Sequence, residues 1–120
     1  ANTFKTITFA AEPASAGTSY LMYTAANNTT TVVLGLILTN IHTAAVTASV
    51  QLDSNTGNRN GNNNVSNGVS ELIKNVSIPQ GSSLEILTGS KVVLEATDAI
   101  KVDCSVADKL SGTLSIMEIT

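Results

Sequence analysis

Apolar and polar residues alternate with a period of two along much of this chain, and that rhythm specifies strands, not helices. Ala44, Val46, Ala48, Val50 and Leu52 interleave with Ala45, Thr47, Ser49, Gln51 and Asp53. One side of such an extended segment turns to a core and the other to solvent. Ile100, Val102, Cys104 and Val106 repeat the pattern against Lys101, Asp103 and Ser105. The run 31–39 is apolar on both faces, as expected of a central strand covered on both sides. Gly35 within it suggests a bulge or a close backbone approach. Weaker strands are predicted at 4–9, 19–24, 72–78, 84–87, 91–95 and 113–119, with one helical turn near 107–110. Turn chemistry separates them: Pro79-Gln80-Gly81 follows Ile78, Thr88-Gly89 divides two short strands, and Asp98 precedes the Ile100 strand. About eight or nine short, evenly spaced strands predict an antiparallel β-sandwich, jelly-roll-like or immunoglobulin-like, with strand order left open.

The 120 residues fit one domain, 1–120. Hydrophobic residues make up 42% and aromatics 3%, so Val, Ile, Leu and Ala must fill the core. Charged residues come to only 12%, roughly half the usual share of about 25%. A surface of Thr, Ser and Asn with a net charge of −3 supports solubility thinly. Such a surface is easier to understand if neighbours cover much of it. Five lysines and Arg59 are scattered along the chain, which argues against a nucleic-acid partner, since phosphate binding needs a clustered basic face. The longest apolar run, 32–38, falls far short of the ~20 residues of a membrane span. No basic-then-apolar segment leads the chain, so no retained signal peptide is expected.

Catalytic chemistry finds little to work with. Nucleophilic catalysis needs a nucleophile, a base and an orienting group, yet His42 is the sole imidazole and falls between two strong strands, as a turn residue. Cys104 sits in register with buried neighbours and reads as a small hydrophobe. The carboxylates Glu12, Asp53, Glu71, Glu85, Glu95, Asp98, Asp103, Asp108 and Glu118 form no signature of convergence and read as a solvated rim. A calcium loop beginning at Asp53 would want Gly at its sixth position and Glu at its twelfth; Asn58 and Asn64 stand there instead. No glycine-rich loop opens a helix to cradle phosphate. Neither cofactor, metal nor catalytic residue is therefore expected. A sugar-binding module remains an alternative, although Phe4, Phe9, Tyr20 and Tyr23 all lie in predicted strands, where core packing accounts for them.

Residues 54–68 break the alternation with an Asn/Gly-rich tract, predicted to project as a loop from the end of the 46–52 strand. Loops of this length are often functional. The candidate interface residues are Asn55, Asn58, Arg59, Asn60, Asn62, Asn63 and Asn64, with Arg59 offering a planar fork for carboxylates. Residues 1–5 are a candidate arm that adds to a neighbour's sheet edge.

The second half has a recognisable cadence: Ile78-Pro79-Gln80-Gly81, then Leu94-Glu95-Ala96-Thr97-Asp98-Ala99-Ile100-Lys101-Val102, then a closing Met117-Glu118-Ile119-Thr120. Across about 72–120 it resembles the small β-sandwich virion proteins of tailed bacteriophages, of head-decoration, neck and tail type. The more usual Gly before the Asp is Thr97 here, and the hairpin pattern is generic to sandwiches, so no family binding residue carries over. The resemblance implies a non-enzymatic structural protein of the virion, assembled in the host cytoplasm. A capsid decoration or cement protein is the leading expectation, with a neck or tail component and a glycan-binding adhesin as alternatives. The expected partners are copies of itself and other virion proteins, such as the major capsid protein.

Overall fold

A computed structural model describes residues 1–54, 68–87 and 91–120, and within them the chain is all-β, with nine strands in two antiparallel sheets packed face to face. The strands are β1 (Asn2–Glu12), β2 (Tyr20–Thr24), β3 (Thr30–Asn40), β4 (Val46–Ser54), β5 (Gly68–Ile78), β6 (Ser83–Ile86), β7 (Val92–Leu94), β8 (Ala99–Cys104) and β9 (Leu110–Ile119). Sheet A runs β1-β9-β3, with β6 and β7 both pairing the far side of β3; sheet B runs β2-β8-β4-β5. The predicted β-sandwich is thus the observed fold. Of the tract 54–68 expected to project as a loop, Ser54 ends β4 and Gly68 begins β5, and the rest, with all seven candidate interface residues from Asn55 to Asn64, lies outside the described residues.

The alternation explains the core. Val33, Leu36 and Leu38 of β3 and Leu110, Leu114 and Ile116 of β9 point inward from sheet A. They meet Ala48 and Val50 of β4, Ile100, Val102 and Cys104 of β8, and Ile78 of β5, all buried. Cys104 is a free, buried thiol, as its register predicts. Phe9 and Tyr20 join the two sheets edge to face, with ring centroids 5.1 Å apart. Among the described residues no buried side-chain nitrogen or oxygen lacks a hydrogen-bond partner.

Local chemistry sets the turns. Ser82 N–H donates to Pro79 C=O across Gln80-Gly81, and Gly81 takes the positive φ of 71° that such a turn favours in its third residue. Thr97 occupies a left-handed φ of 70°, which is why a glycine is the commoner residue there. Asp98 closes that turn by accepting from Glu95 N–H at 3.0 Å. Buried Asn40 donates to Ala44 C=O and Ile78 C=O and accepts from His42 N–H, so it pins the 41–45 loop to the end of β5. His42 is the turn residue predicted.

Three expectations change. The helical turn near 107–110 does not form, because Asp108 adopts a φ of 57°, its N–H bonds Pro13 C=O, and Leu110 already begins β9. Residues 2–5 of the candidate arm hydrogen-bond to β9 within their own sheet as the start of edge strand β1, so a neighbour's sheet could be met only along the strand's other edge. And β3, although apolar on both faces, is covered on one only, since the sandwich has two layers. Gly35 does mark a bulge, between Val33 and Gly35 opposite β9.

Candidate interaction surface

The uncovered side of β3 belongs to an outer face whose composition follows from register. Phe4 is paired with Met117, Met117 with Val32, and Val32 with Val93. Directly opposed residues share a face, so these four make one apolar row across β1, β9, β3 and β7. Phe4 is 72% exposed and Val93 54%. Ile119, 38% exposed, flanks the row on one side; Ile37, 39% exposed, lies further along β3. The rest of the outer face carries Asn2, Thr6, Thr8, Ser115, Thr113, Ser111, Thr39 and Ser83, and the one charge on its described strands is Glu85 opposite Ile37, with exposed Lys91 and Glu95 at the two ends of β7. A shallow depression of about 310 Å³ opens beside Leu34 and Gly35, where β6 has ended and β7 has not begun.

Sheet B presents a different outer face. Lys101 pairs Asp53 at 3.0 Å, Gln51 donates to Glu71 at 3.1 Å, and Lys74 reaches Glu71 at 3.4 Å. Ser49 Oγ accepts from Asn75 N–H. Asp53, which headed the weighed calcium loop, is thereby engaged with a cation of its own sheet. Among the described residues, the strands of sheet B carry a charged outer face and those of sheet A a nearly uncharged one.

A polar cluster closes one end between the two sheets. Tyr23 of β2 donates to Glu118 Oε2 at 2.6 Å and shares a 2.8 Å hydrogen bond with Thr31, while Lys5 pairs Glu118 Oε1 at 2.7 Å. Lys5 holds the Glu118 carboxyl below its usual range, reinforced by the Tyr23 hydrogen bond. Burial, followed by the Glu118 hydrogen bond, pushes the Tyr23 phenol up to about 12. The cluster has a structural job, joining sheet to sheet.

Reading the sequence placed Phe4 in the core with the other aromatics; the structure puts it outside. Parity was the available signal. Ile7 and Phe9 share one side of β1 and Phe4 the other, while Met117 and Ile119 are likewise out of step with Leu114 and Ile116. Among the described residues no group of three or more His, Cys, Asp or Glu is arranged to hold a metal, and no helix is long and apolar enough to cross a membrane.

No family model and no curated protein matches this chain. Among solved structures, it is similar to a chain described by the words "Bacillus endospore appendages form a novel family of disulfide-linked pili", at 13% identity and a TM-score of 0.45, over 100% of this chain and 87% of that one. A likeness at that level carries no argument about what this chain does.

Proposed function

We propose that this chain is a non-enzymatic structural protein of a tailed-phage virion, which decorates the capsid shell and stabilises it by attachment. A neck or tail position is the same reading at another place in the particle. The observation that carries it is the outer face of sheet A, where an apolar row crosses β1, β9, β3 and β7 amid hydroxyl side chains, with Glu85 the one charged residue that the described strands place there. Release of water from the apolar row favours covering it, and the row itself carries no charge that would have to be desolvated. At about 3.4 Å per residue and 4.8 Å between strands, an 11-residue, four-strand face measures on the order of 700 Å². A standard interface buries about 800 Å² per partner. The low overall charge fits the same picture, because a subunit held among neighbours does not depend on self-repulsion to stay dispersed.

The test is attachment. Mass spectrometry of purified particles from the phage that encodes this chain should detect it, and the isolated protein should co-sediment with particles stripped of it. Val93→Glu places a charge in the row at a half-exposed position, so the fold should survive while attachment weakens at least tenfold. Absence from the particles, or wild-type protein that stays in the supernatant, overturns the reading.

A further inference from the structure

The edges of the two sheets differ in how far they are guarded. Exposed strand edges are ordinarily blunted by shortness, bulges or charge. β2, β6 and β7 are short, at five, four and three residues. β5 is long, but its pairing is broken by two register shifts, Asn75 kinks it with a φ of 50°, and Glu71 and Lys74 stand along it. β1 is the exception. Its register against β9 runs unbroken from Asn2 to Phe9, and Asn2 to Thr6 are exposed on both faces. Its one charge in that stretch, Lys5, is drawn back onto Glu118.

Backbone parity says which groups this edge offers. Ala1 N donates to Thr120 C=O at 2.9 Å, and Thr120 N–H returns a bond to Ala1 C=O at 3.2 Å. Ala1 and Thr120 are therefore a hydrogen-bonded pair, and antiparallel ladders alternate. Thr3, Lys5 and Ile7 aim their N–H and C=O groups at β9. Asn2, Phe4, Thr6 and Thr8 aim theirs outward.

We infer that β1 pairs antiparallel with β1 of a second copy about a two-fold axis at Phe4, so that sheet A continues from one molecule into the next. The inference rests on the reading of this chain as an assembling structural subunit and names the contact between copies. With Phe4 opposite Phe4 of the second copy, Asn2 faces Thr6 and Thr6 faces Asn2, so each outward backbone group in the stretch finds a partner. An axis perpendicular to the sheet keeps both outer faces on one side. The row Val93, Val32, Met117, Phe4 then runs unbroken into its symmetry mate, which doubles the uncharged face. Lys5 falls opposite Thr3, so no like charges meet. A shift of register by one residue would set each outward group opposite a residue whose own groups are turned to β9, and the ladder could not form.

Sedimentation of the full chain should give a dimer for wild type. Thr6→Pro removes an outward N–H that the fold does not use, so the variant should be a monomer with an unchanged far-ultraviolet spectrum and the melting midpoint of wild type diluted until it is monomeric. Register is read independently by cross-linking. Paired Cα atoms in a hydrogen-bonded antiparallel position lie about 5.5 Å apart, within reach of a disulfide. The Phe4→Cys variant should oxidise to a covalent dimer, and Thr8→Cys, beyond the paired stretch, should not. A monomeric wild type, a dimer that survives Thr6→Pro, or equal cross-linking at both positions overturns the pairing. Particle binding separates this from the functional reading: a monomer that still attaches sinks the pairing alone, and a dimer that never attaches sinks the virion role alone.

Discussion

At Gly112 the backbone of β9 passes beneath the ring of Phe9, and a methyl group built there would overlap ring carbons Cε2 and Cζ. The ring fills the space a side chain would take, opposite the glycine in the ladder. Gly112→Ala should therefore cost about 1–3 kcal/mol, as overpacking does, seen as a lower urea midpoint with an unchanged slope. Asn40 is a second point of dependence. Truncation to Ala strands two carbonyls and one N–H in or near the core, for an expected loss of about 2–4 kcal/mol by the same measurement. Thr97 works in the opposite direction. A β-branched residue at a φ of 70° is strained, and Thr97→Gly should raise stability by up to about 1 kcal/mol once the added freedom of the unfolded chain is subtracted; a lower midpoint would refute that account.

The elements show why some of the molecule was readable from the sequence and some was not. β4 and β8 stood out because strict alternation leaves one solution for each, and both emerged as central strands of sheet B with Val46, Ala48, Val50, Ile100, Val102 and Cys104 buried as expected, although Ala44 precedes β4 and is exposed. β3 was found, and so was its bulge, but its second apolar face was assigned to a covering layer that a two-sheet sandwich lacks. Alternation reports which residues avoid water, not whether the cover comes from the same chain. β1 and β9 were found short, since Thr-rich ends such as Asn2-Thr3 and Ser111-Gly112 carry no hydrophobic signal and are held by backbone pairing alone. The helical turn near 107–110 failed for a related reason, because the φ of Asp108 is fixed by its bond to Pro13, a contact remote in sequence. The interface residues chosen from the Asn/Gly-rich tract fall outside the described residues, whereas the row through Phe4 could have been found by parity. Hydrogen exchange tests the β1 assignment at this scale: amides of Thr3, Lys5 and Ile7 should be protected, and those of Phe4, Thr6 and Thr8 should exchange quickly at low protein concentration. Uniform rates along β1 would contradict it.

For the whole molecule, the Lys5–Glu118–Tyr23–Thr31 cluster links the two sheets at one end and gives stability two pH limits. The Glu118 carboxyl titrates lower when folded than when unfolded. Its contribution is therefore complete above the unfolded value and is lost as pH falls through the folded one. Tyr23 is raised to about 12, so its contribution is complete below the ordinary phenol value of about 10 and fades as pH climbs through the folded value. Tyr23→Phe should flatten the alkaline side of the stability profile, and Lys5→Met should steepen the acid side less than wild type does; chemical denaturation across pH reads both.

The contrast between the two broad sides has a consequence for handling. Ions in solution weaken contacts between opposite charges, but the side bearing Val93, Val32, Met117 and Phe4 offers almost nothing for them to shield. Whatever settles there should ignore sodium chloride, tighten in ammonium sulfate, and loosen on ice as apolar hydration becomes cheaper.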